Sequence, residues 1–334
     1  MIDHLLVLPR LRIQNANAIS GPMTWGFPAM SAFVGVMQAL ERRLPDDMGL
    51  MFNGIGVICH SMEPQVTKKG ITRAFHLTRN PVDKTGKTSA IVEEGRAHID
   101  ISLLIDVGFN GDVLHSQEQR NEIAKRLYHL AQGMRIAGGS VVPTTSVADE
   151  RYCPRLISFN PDDSEQAYTN WRRVMRSLLP GFALVQRDDL LKAHTKTLQK
   201  DNEGATAFDA WLDLCRINHE CREVEEVSSD GEIKQQVRWS IRRPYRGWLV
   251  PIPVGYAAIS PLYNPGEVVN VRDPGVKFQF VESIYSIGEW VSPHRIRDPE
   301  ALLWSVDIES AQQGLYRLKN FYSDSLSTAF QGAV

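Results

Sequence analysis

Cationic side chains alternate with apolar ones in two segments of the chain. Arg10 and Arg12 alternate with leucine and isoleucine, and Arg96 and His98 do the same in the stretch 96–103. An alternation of period two places such residues on one face of a β-strand. A guanidinium group binds phosphate oxygens through its planar fork. The pattern therefore predicts two strands, each with a buried apolar face and a polar face that could hold a phosphate backbone.

A polar but uncharged loop follows the first of these strands. Its amides and hydroxyl can contact base edges, and the aromatic rings that come next can stack on bases or anchor the loop. Farther along, a glycine pair follows an arginine, and glycine permits a close backbone approach to a ligand. The candidate contact residues in these two places are Asn15, Asn17, Ser20, Trp25, Arg135 and Gly139.

The elements that position these residues alternate between strands and helices. We predict, in order, a strand over 4–14, a helix ended by Pro45, strands over 50–60 and 96–103, a helix begun by Ser116 with Gln119 as its capping box, and a strand over 134–142 interrupted by glycines. Pro9 lacks an N–H, so a bulge is expected in the first strand. This order is that of a split βαβ, ferredoxin-like unit. Both helices would cover the apolar face of the sheet and leave the polar face open, as in RRM-type modules.

A long insertion, 61–95, separates the second and third strands. Between 61 and 89 it holds six basic residues against two acidic ones, and Gly86 lies in a tight-turn context. A P-loop would need a glycine where Pro81 stands, so a turn is the better interpretation of 83–88. We predict a protruding β-hairpin, called the thumb below, that carries Arg73, His76 and Arg79.

The second half of the chain has a different character. The predicted organisation is an RRM-like domain over 1–145 and a C-terminal region over 146–334, which comprises helices over about 164–219, an acidic solvated loop over about 220–234, and strands and turns over about 237–320. A cluster between Arg238 and Trp248 mixes arginines and aromatic rings without an acid. Two interpretations of it stay open, a nucleic-acid contact and a solvated strand edge.

Composition excludes several classes of protein. The chain has 334 residues, which predicts roughly two domains, and its 37 Lys+Arg against 39 Asp+Glu exclude a wholly basic nucleic-acid binder. No apolar run is long enough for a membrane span, and no signal peptide is expected. The four scattered cysteines predict a reducing, cytoplasmic location without a disulfide framework. The spacing of Cys215, His219 and Cys221 is not a zinc signature, so we expect neither a metal nor a cofactor.

Eight blocks, in chain order from about residue 5 to about 318, resemble one known family. They read "LLVLPRLRIQNANAISGPMTWGFP", "FHLTRNP", "AIVEEGRAHIDISLLI", "MRIAGGSVVP", "LLPGFALV", "LDLCRIN", "GWLVPIPVGYAAISPLYNPGEV" and "GEWVSPHR". They are similar to the second Csy subunit of the type I-F CRISPR surveillance complex, a member of the Cas-five group of RAMP proteins. The resemblance covers nearly the whole chain.

The resemblance implies an RRM-like domain with a thumb and a non-catalytic role. Such a subunit grips the 5′ handle of the crRNA, pairs with the large Csy subunit and contacts the first backbone subunit through the thumb. Target DNA would be met indirectly, because guide pairing reads its sequence. A separate endoribonuclease would make the crRNA.

Individual RNA contacts are our own assignment from the residues. We expect them at Arg10, Arg12, Asn15, Asn17, Ser20, Trp25, Arg73, His76, Arg79, Arg96, His98, Arg135, Gly139, His294 and Arg295. Two alternatives stay open. A RAMP endoribonuclease that processes crRNA needs only one or two acid/base groups, so lone histidines do not exclude it. A small-molecule enzyme would use the turn at 84–88 for phosphate.

Overall fold

The computed structural model describes residues 2–45, 48–79, 81–88, 91–109, 116–143, 152–159, 164–227, 233–311 and 314–331. Over these residues the chain is a mixed α+β protein built on one large antiparallel sheet. The helices are α1 (Met30–Glu41), α2 (Gln117–Gln132), α3 (Ser164–Ser177), α4 (Asp188–Asp201), α5 (Ala207–Cys215), α6 (Ile308–Ala311) and α7 (Tyr322–Gln331). The strands of the main sheet are β1 (His4–Asn17), β4 (Leu50–Pro64), β9 (Arg96–Phe109), β10 (Arg135–Ile136), β11 (Gly139–Val142), β12 (Arg155–Ser158), β13 (Phe182–Gln186), β16 (Leu249–Ala258), β17 (Val281–Val291), β18 (Trp304–Val306) and β19 (Leu315–Asn320). Small hairpins use β2 (Ile19–Gly21), β3 (Thr24–Trp25), β5 (Val66–Lys69), β6 (Thr72–Phe75), β7 (Leu77–Arg79), β8 (Ile91–Glu93), β14 (Asn218–Val227) and β15 (Ile233–Arg242).

The first part of the sheet runs in the order β11–β1–β9–β4, with α1 between β1 and β4 and α2 after β9. Both helices bury their apolar residues on one side of these strands, α1 through Phe33, Met37 and Leu40 and α2 through Leu127. Helix α2 begins as predicted, because Ser116 and Gln119 form a reciprocal capping box. Helix α1 ends at Glu41, earlier than its sequence pattern indicated.

The bulge expected at Pro9 is present and has a consequence for its neighbour. The pairing of β1 with β9 shifts register between Leu8 and Leu11, and Arg10 has a φ of 52°. The N–H of Arg10 leaves the strand ladder and donates to the hydroxyl of Ser102 at 3.1 Å. A proline that cannot pair thus re-aims the arginine that follows it.

The sheet continues beyond these strands and closes on itself. From β4 the pairing passes through β13, β17, β16, β19 and β18 and returns to β4 where Trp304 lies opposite Ile55. Trp304 is fully buried inside this ring and donates its indole N–H to the carbonyl of Leu184 at 2.8 Å. Strands on both sides of residue 145 therefore share one sheet.

The prediction that the polar face would be wholly open is only half right. Helix α3 packs Trp171 and Met175 against Leu5, Ile58 and Leu104, so it covers the far end of that face. The part left uncovered holds the second half of β1 and the start of β9, because there the outward residues are polar or charged. We call this part the open half-face.

Two element predictions need correction. The segment 134–142 is two short strands in a hairpin, because Ala137 and Gly138 take positive φ and turn the chain. The acidic stretch expected as a loop is mostly strand: β14 pairs with β15 from Asn218–Arg242 to Val227–Ile233. In a two-stranded hairpin whose two faces both meet solvent, charged side chains stay hydrated, so a strand can carry many of them.

Two further patterns differ in detail. The thumb is two small hairpins rather than one, because β5 pairs with β6 and β7 pairs with β8. The spacing of Phe208, Trp211, Leu212 and Cys215 predicts one buried stripe on α5, but only Trp211 of these is buried, and Phe208 and Leu212 are exposed. Across the described part of the chain, no helix is both long and apolar enough to cross a membrane.

Candidate nucleic-acid interface

Four of the candidates lie on or beside the open half-face: Arg10, Arg12, Arg96 and His98. Arg96 and His98 are half-buried, and no helix seals them. Arg12 is exposed and makes no ion pair with any residue in the described ranges. Strand alternation places Arg12, Arg96 and His98 on this face as predicted, whereas the bulge after Leu8 sets the position of Arg10.

Two of these arginines already have partners. Arg10 forms an ion pair with Asp100 at 3.1 Å, and its guanidinium lies 5.4 Å from the centre of the Tyr152 ring. Arg96 binds the carboxylate of Glu94 at 2.6 Å. Because a paired guanidinium must give up its carboxylate to bind another anion, Arg12 is the most available of the three guanidinium groups on this face.

A small polar network joins the open half-face to the base of the thumb. The backbone N–H of Asn15 donates to Nδ1 of His98 at 3.4 Å, and the side chain of Gln65 donates to Oδ1 of Asn15 at 2.5 Å. Asn15 has a φ of 57°, a conformation that asparagine adopts more readily than most residues. These contacts fix the start of the loop that leaves β1.

A groove of about 660 Å³ lies on the other side of that loop. Its lining includes the sequence-predicted Asn17, Ser20 and Arg135, together with Tyr256 and Tyr316. The two tyrosine rings are stacked with centroids 6.2 Å apart, and Arg135 is exposed. No acidic residue is among the described residues of this lining. The groove therefore combines a free cation, amide and hydroxyl groups and aromatic faces, which are the groups that hold single-stranded nucleic acid.

Two backbone features favour an anion in this groove. Helix α1 opens on it with Ala29 as its N-cap, without a side-chain cap or an acid in its first turn, so its first N–H groups lack a side-chain acceptor. Gly138 lines the groove with open space around its α-carbon.

Gly139, the glycine named from sequence, is buried and does not line the groove. A glycine is needed there because a side chain would meet the carbonyl oxygen of Gln14 at 2.6 Å.

Ser20 also lines a second cavity, of about 470 Å³, on the opposite side of the β2–β3 hairpin. Its walls carry five aromatic residues, and we call it the aromatic cavity: Trp25, Phe27, Phe182, Trp248 and Trp290. Trp25 stands at its edge, with its ring perpendicular to Phe75 of the thumb at 5.6 Å. Only Trp25 among these was a sequence-predicted contact.

A closed hydrogen-bond chain forms the polar wall of the aromatic cavity. His60 Nδ1 lies 2.7 Å from the carbonyl oxygen of Pro180, so it carries the proton, and Nε2 accepts from the hydroxyl of Ser102 at 2.7 Å. Burial lowers the pKa of His60, which keeps the ring neutral. Ser102 is fully buried, so this serine–histidine contact has no access to a substrate. Burial also raises the pKa of the Cys59 thiol to about 12.

The remaining candidates lie elsewhere. Arg73 and His76 are exposed on the thumb, and Arg79 lies on β7 opposite Ile91. His294 and Arg295 are exposed in a 3₁₀ turn, where His294 lines a separate cavity of about 570 Å³ with Arg172 and Arg176 of α3. The structure thus distributes the candidates over the open half-face, the groove, the aromatic cavity, the cavity at His294 and the thumb, rather than in one continuous row.

The described ranges bear on two further kinds of site, one for a metal and one for a phosphate. No group of three or more metal-ligating side chains occurs there. The turn at 83–88 uses the Asp83 carboxylate to accept from the N–H groups of Thr85 and Lys87, so those donors are not free for phosphate. His194 and Asp213 form a buried pair at 2.7 Å that anchors Arg216 and Arg242 at the base of the β14–β15 hairpin.

Sequence reasoning missed Tyr256, Tyr316 and Gln65. The tyrosines lie more than a hundred residues from Arg135 in the chain, and they reach the groove because β16 and β19 pair with each other. No local pattern marks them. Trp248 did have a signal, since it ends the arginine–aromatic cluster that the sequence left open.

Comparison with known proteins covers nearly the whole length of the chain. Residues 6–318 match the family described as CRISPR-associated protein (Cas_Csy2). The chain is also 47% identical over 319 residues, 94% of each sequence, to the CRISPR-associated protein Csy2 of Pseudomonas aeruginosa (strain UCBPP-PA14). The chain belongs to the Csy2 family, the second-Csy-subunit family of type I-F CRISPR complexes.

Proposed function

We propose that this chain is the non-catalytic crRNA-binding subunit of its complex and grips the 5′ handle of the crRNA. The observation that carries the proposal is the acid-free groove in which Arg135, Asn17 and the stacked tyrosines Tyr256 and Tyr316 meet. Phosphate would contact Arg135 and the N-terminus of α1, while unpaired bases would stack on the tyrosine rings. Arg12 on the open half-face would hold the next part of the strand.

We also propose that residues 1–145 form a ferredoxin-like RAMP domain. The strand order β11–β1–β9–β4, with a helix after the first and the third strand, supports this. The closing strands of the C-terminal region would then brace the RNA platform rather than form an unrelated unit.

The partners proposed are the crRNA handle, the large Csy subunit and, through the thumb, the first backbone subunit. Target DNA would be bound indirectly through guide pairing. The thumb supports the second protein contact, because Ile71 at its tip is fully exposed between basic strands. The proposed setting is the cytoplasm, where crRNA is made and used.

The alternative, an endoribonuclease that processes crRNA, would need an accessible acid/base group beside a bound phosphate. His98 is the nearest such group, and its ring contacts Asn15 and Gln65. Purified protein incubated with repeat RNA in EDTA separates the two functions. We expect retention of the RNA without cleavage; specific cleavage would replace the binding-only proposal.

Binding itself is tested with labelled handle RNA and a scrambled RNA of equal length. We expect preference for the handle, and we expect Arg135→Glu to reduce it at least tenfold because a carboxylate would then face the phosphate. Lys200→Glu is the matched control, since Lys200 is exposed on α4 away from the groove. Equal affinity of wild type and the Arg135 variant would refute the groove as the RNA site.

A further inference from the structure

We propose that the aromatic cavity takes one unpaired nucleobase of the bound RNA. This inference rests on the proposed function and adds to it a site for a specific part of the ligand. Its starting point is an unusual exposure of large rings: Trp25, Phe182 and Trp248 expose 59, 42 and 57% of their surface around the mouth of the cavity. Exposed rings around a concave site are typical of a ligand site rather than of bare surface.

Four of the rings, those of Phe182, Trp248, Trp290 and Phe27, form a connected set that reaches inward. Phe182 meets Trp248 edge-on at 5.4 Å, Trp248 lies 6.1 Å from Trp290, and Trp290 meets Phe27 at 5.1 Å. The inner rings hold the outer ones in place, so the mouth is preorganised. A flat ligand can stack there without ordering mobile side chains.

The electrostatics select a neutral ligand. No Asp, Glu, Lys or Arg is among the described residues of the lining. His60 is neutral and both its ring nitrogens are already bonded, and Cys59 stays a thiol. A phosphate or a carboxylate would therefore find no counter-charge in this cavity, whereas a nucleobase needs none.

Few polar groups remain to read the edge of a base. The hydroxyl of Ser61 makes no hydrogen bond to any residue in the described ranges, while that of Ser20 donates to Thr24 at 2.9 Å. Stacking thus dominates over edge recognition, and we expect the cavity to accept any base, with purines favoured for their larger face.

Continuity with the groove identifies the occupant. Ser20 lines both spaces, and Trp25 lies on the same hairpin, so one strand of RNA can cross from one to the other. The charged phosphate backbone of the RNA would lie beside Arg135, and one uncharged base would turn into the uncharged cavity. An apolar side chain of a partner protein could also fill the aromatic cavity, but it would not account for the cationic groove beside it.

The test scans the full chain with handle RNAs that carry a single 5-iodouridine at each position in turn, a base that crosslinks to stacked aromatic rings under light. We expect one position, or two adjacent ones, to crosslink to Trp25 or Trp248. Trp248→Leu should lower that yield at least threefold and weaken RNA binding about tenfold, as expected for one lost stacked base. Phe208→Leu is the matched control, since Phe208 is 49% exposed on α5 and outside the cavity. Circular dichroism confirms that both variants fold.

The experiment distinguishes failure of the base-site inference from failure of the proposed RNA-binding function. Tight RNA binding with the same crosslinks in wild type and Trp248→Leu would overturn the base site and leave the proposed function standing. If Trp248→Leu instead impairs assembly with the large Csy subunit and not RNA crosslinking, a partner side chain fills the cavity and the inference is wrong. Absence of handle binding by the wild type would refute both.

Discussion

At the scale of single residues, equal charge does not mean equal availability. Arg135 is exposed in an acid-free groove and has no ion-pair partner in the described ranges, whereas Arg96 is held by Glu94 at 2.6 Å. Binding phosphate with Arg96 requires breaking that pair, which offsets part of the gain. The two residues should therefore contribute unequally to RNA binding.

We expect Arg135→Ala to weaken handle binding about three- to tenfold, since an exposed charge-assisted hydrogen bond contributes about 1 kcal/mol. The slope of log Kd against log salt should fall by about 0.7, the value for one phosphate contact of a single strand. Arg96→Ala should change both by less. The measurement is fluorescence anisotropy at four salt concentrations.

The Arg96 variant has its own control. Glu94→Gln removes the pair and frees the guanidinium, so we expect it to strengthen binding slightly. An unchanged salt slope in Arg135→Ala would remove that residue from the phosphate contacts.

At the scale of elements, the thumb is the part that stands apart from the core. Among the described strands, each thumb strand pairs only with its partner in the same hairpin, β5 with β6 and β7 with β8. The thumb presents the apolar residues Ile71, Leu77 and Ile91 to solvent. Exposed apolar side chains on a basic hairpin suit a protein contact beside RNA. A substitution on the thumb should therefore be able to change assembly with a partner protein without changing the stability of the chain.

We expect Ile71→Asp to reduce co-purification with the first backbone subunit at least tenfold, because a carboxylate would be buried in an apolar contact. The stability of the isolated chain should change by less than about 0.5 kcal/mol, since the residue is fully exposed. Val269→Asp, at a residue 81% exposed outside the thumb, is the control. Normal assembly of the Ile71 variant would place that contact elsewhere.

At the scale of the whole molecule, strand β4 joins the two halves of the chain. It pairs with β9 on one side and with β13 and β18 on the other, so it belongs both to the first part of the sheet, β11–β1–β9–β4, and to the closed ring. Unfolding either part would expose the apolar residues that the other part covers. We expect a single cooperative transition rather than two.

Urea unfolding followed by tryptophan fluorescence and by far-UV circular dichroism should give coincident curves. Trp304→Ala should shift both together by about 3–5 kcal/mol, because it leaves a large cavity in the ring and the Leu184 carbonyl without its donor. Trp239→Ala, at an exposed ring, should shift them little. Two separate transitions, of which only one responds to Trp304→Ala, would show that the regions on either side of residue 145 fold as independent domains.

The sequence by itself determined the local features of this protein. These features act over only a few residues, and the predicted structure is present at each of them. They are the strand alternation in 96–103, the capping box of Ser116 and Gln119, and the bulge at Pro9. It also determined the family, since 47% identity over 94% of the chain reflects many such local choices in order.

Only the tertiary structure decided which candidates meet. The partner of an arginine, the rings around a groove and the helix that covers a face all come from distant segments, as Glu94, Tyr256 and α3 show. Burial and pairing depend on the packing of the whole sheet, and strand closure through β18 is not encoded in any short pattern. For that reason the arginines could be named from sequence, but the groove and the aromatic cavity could not.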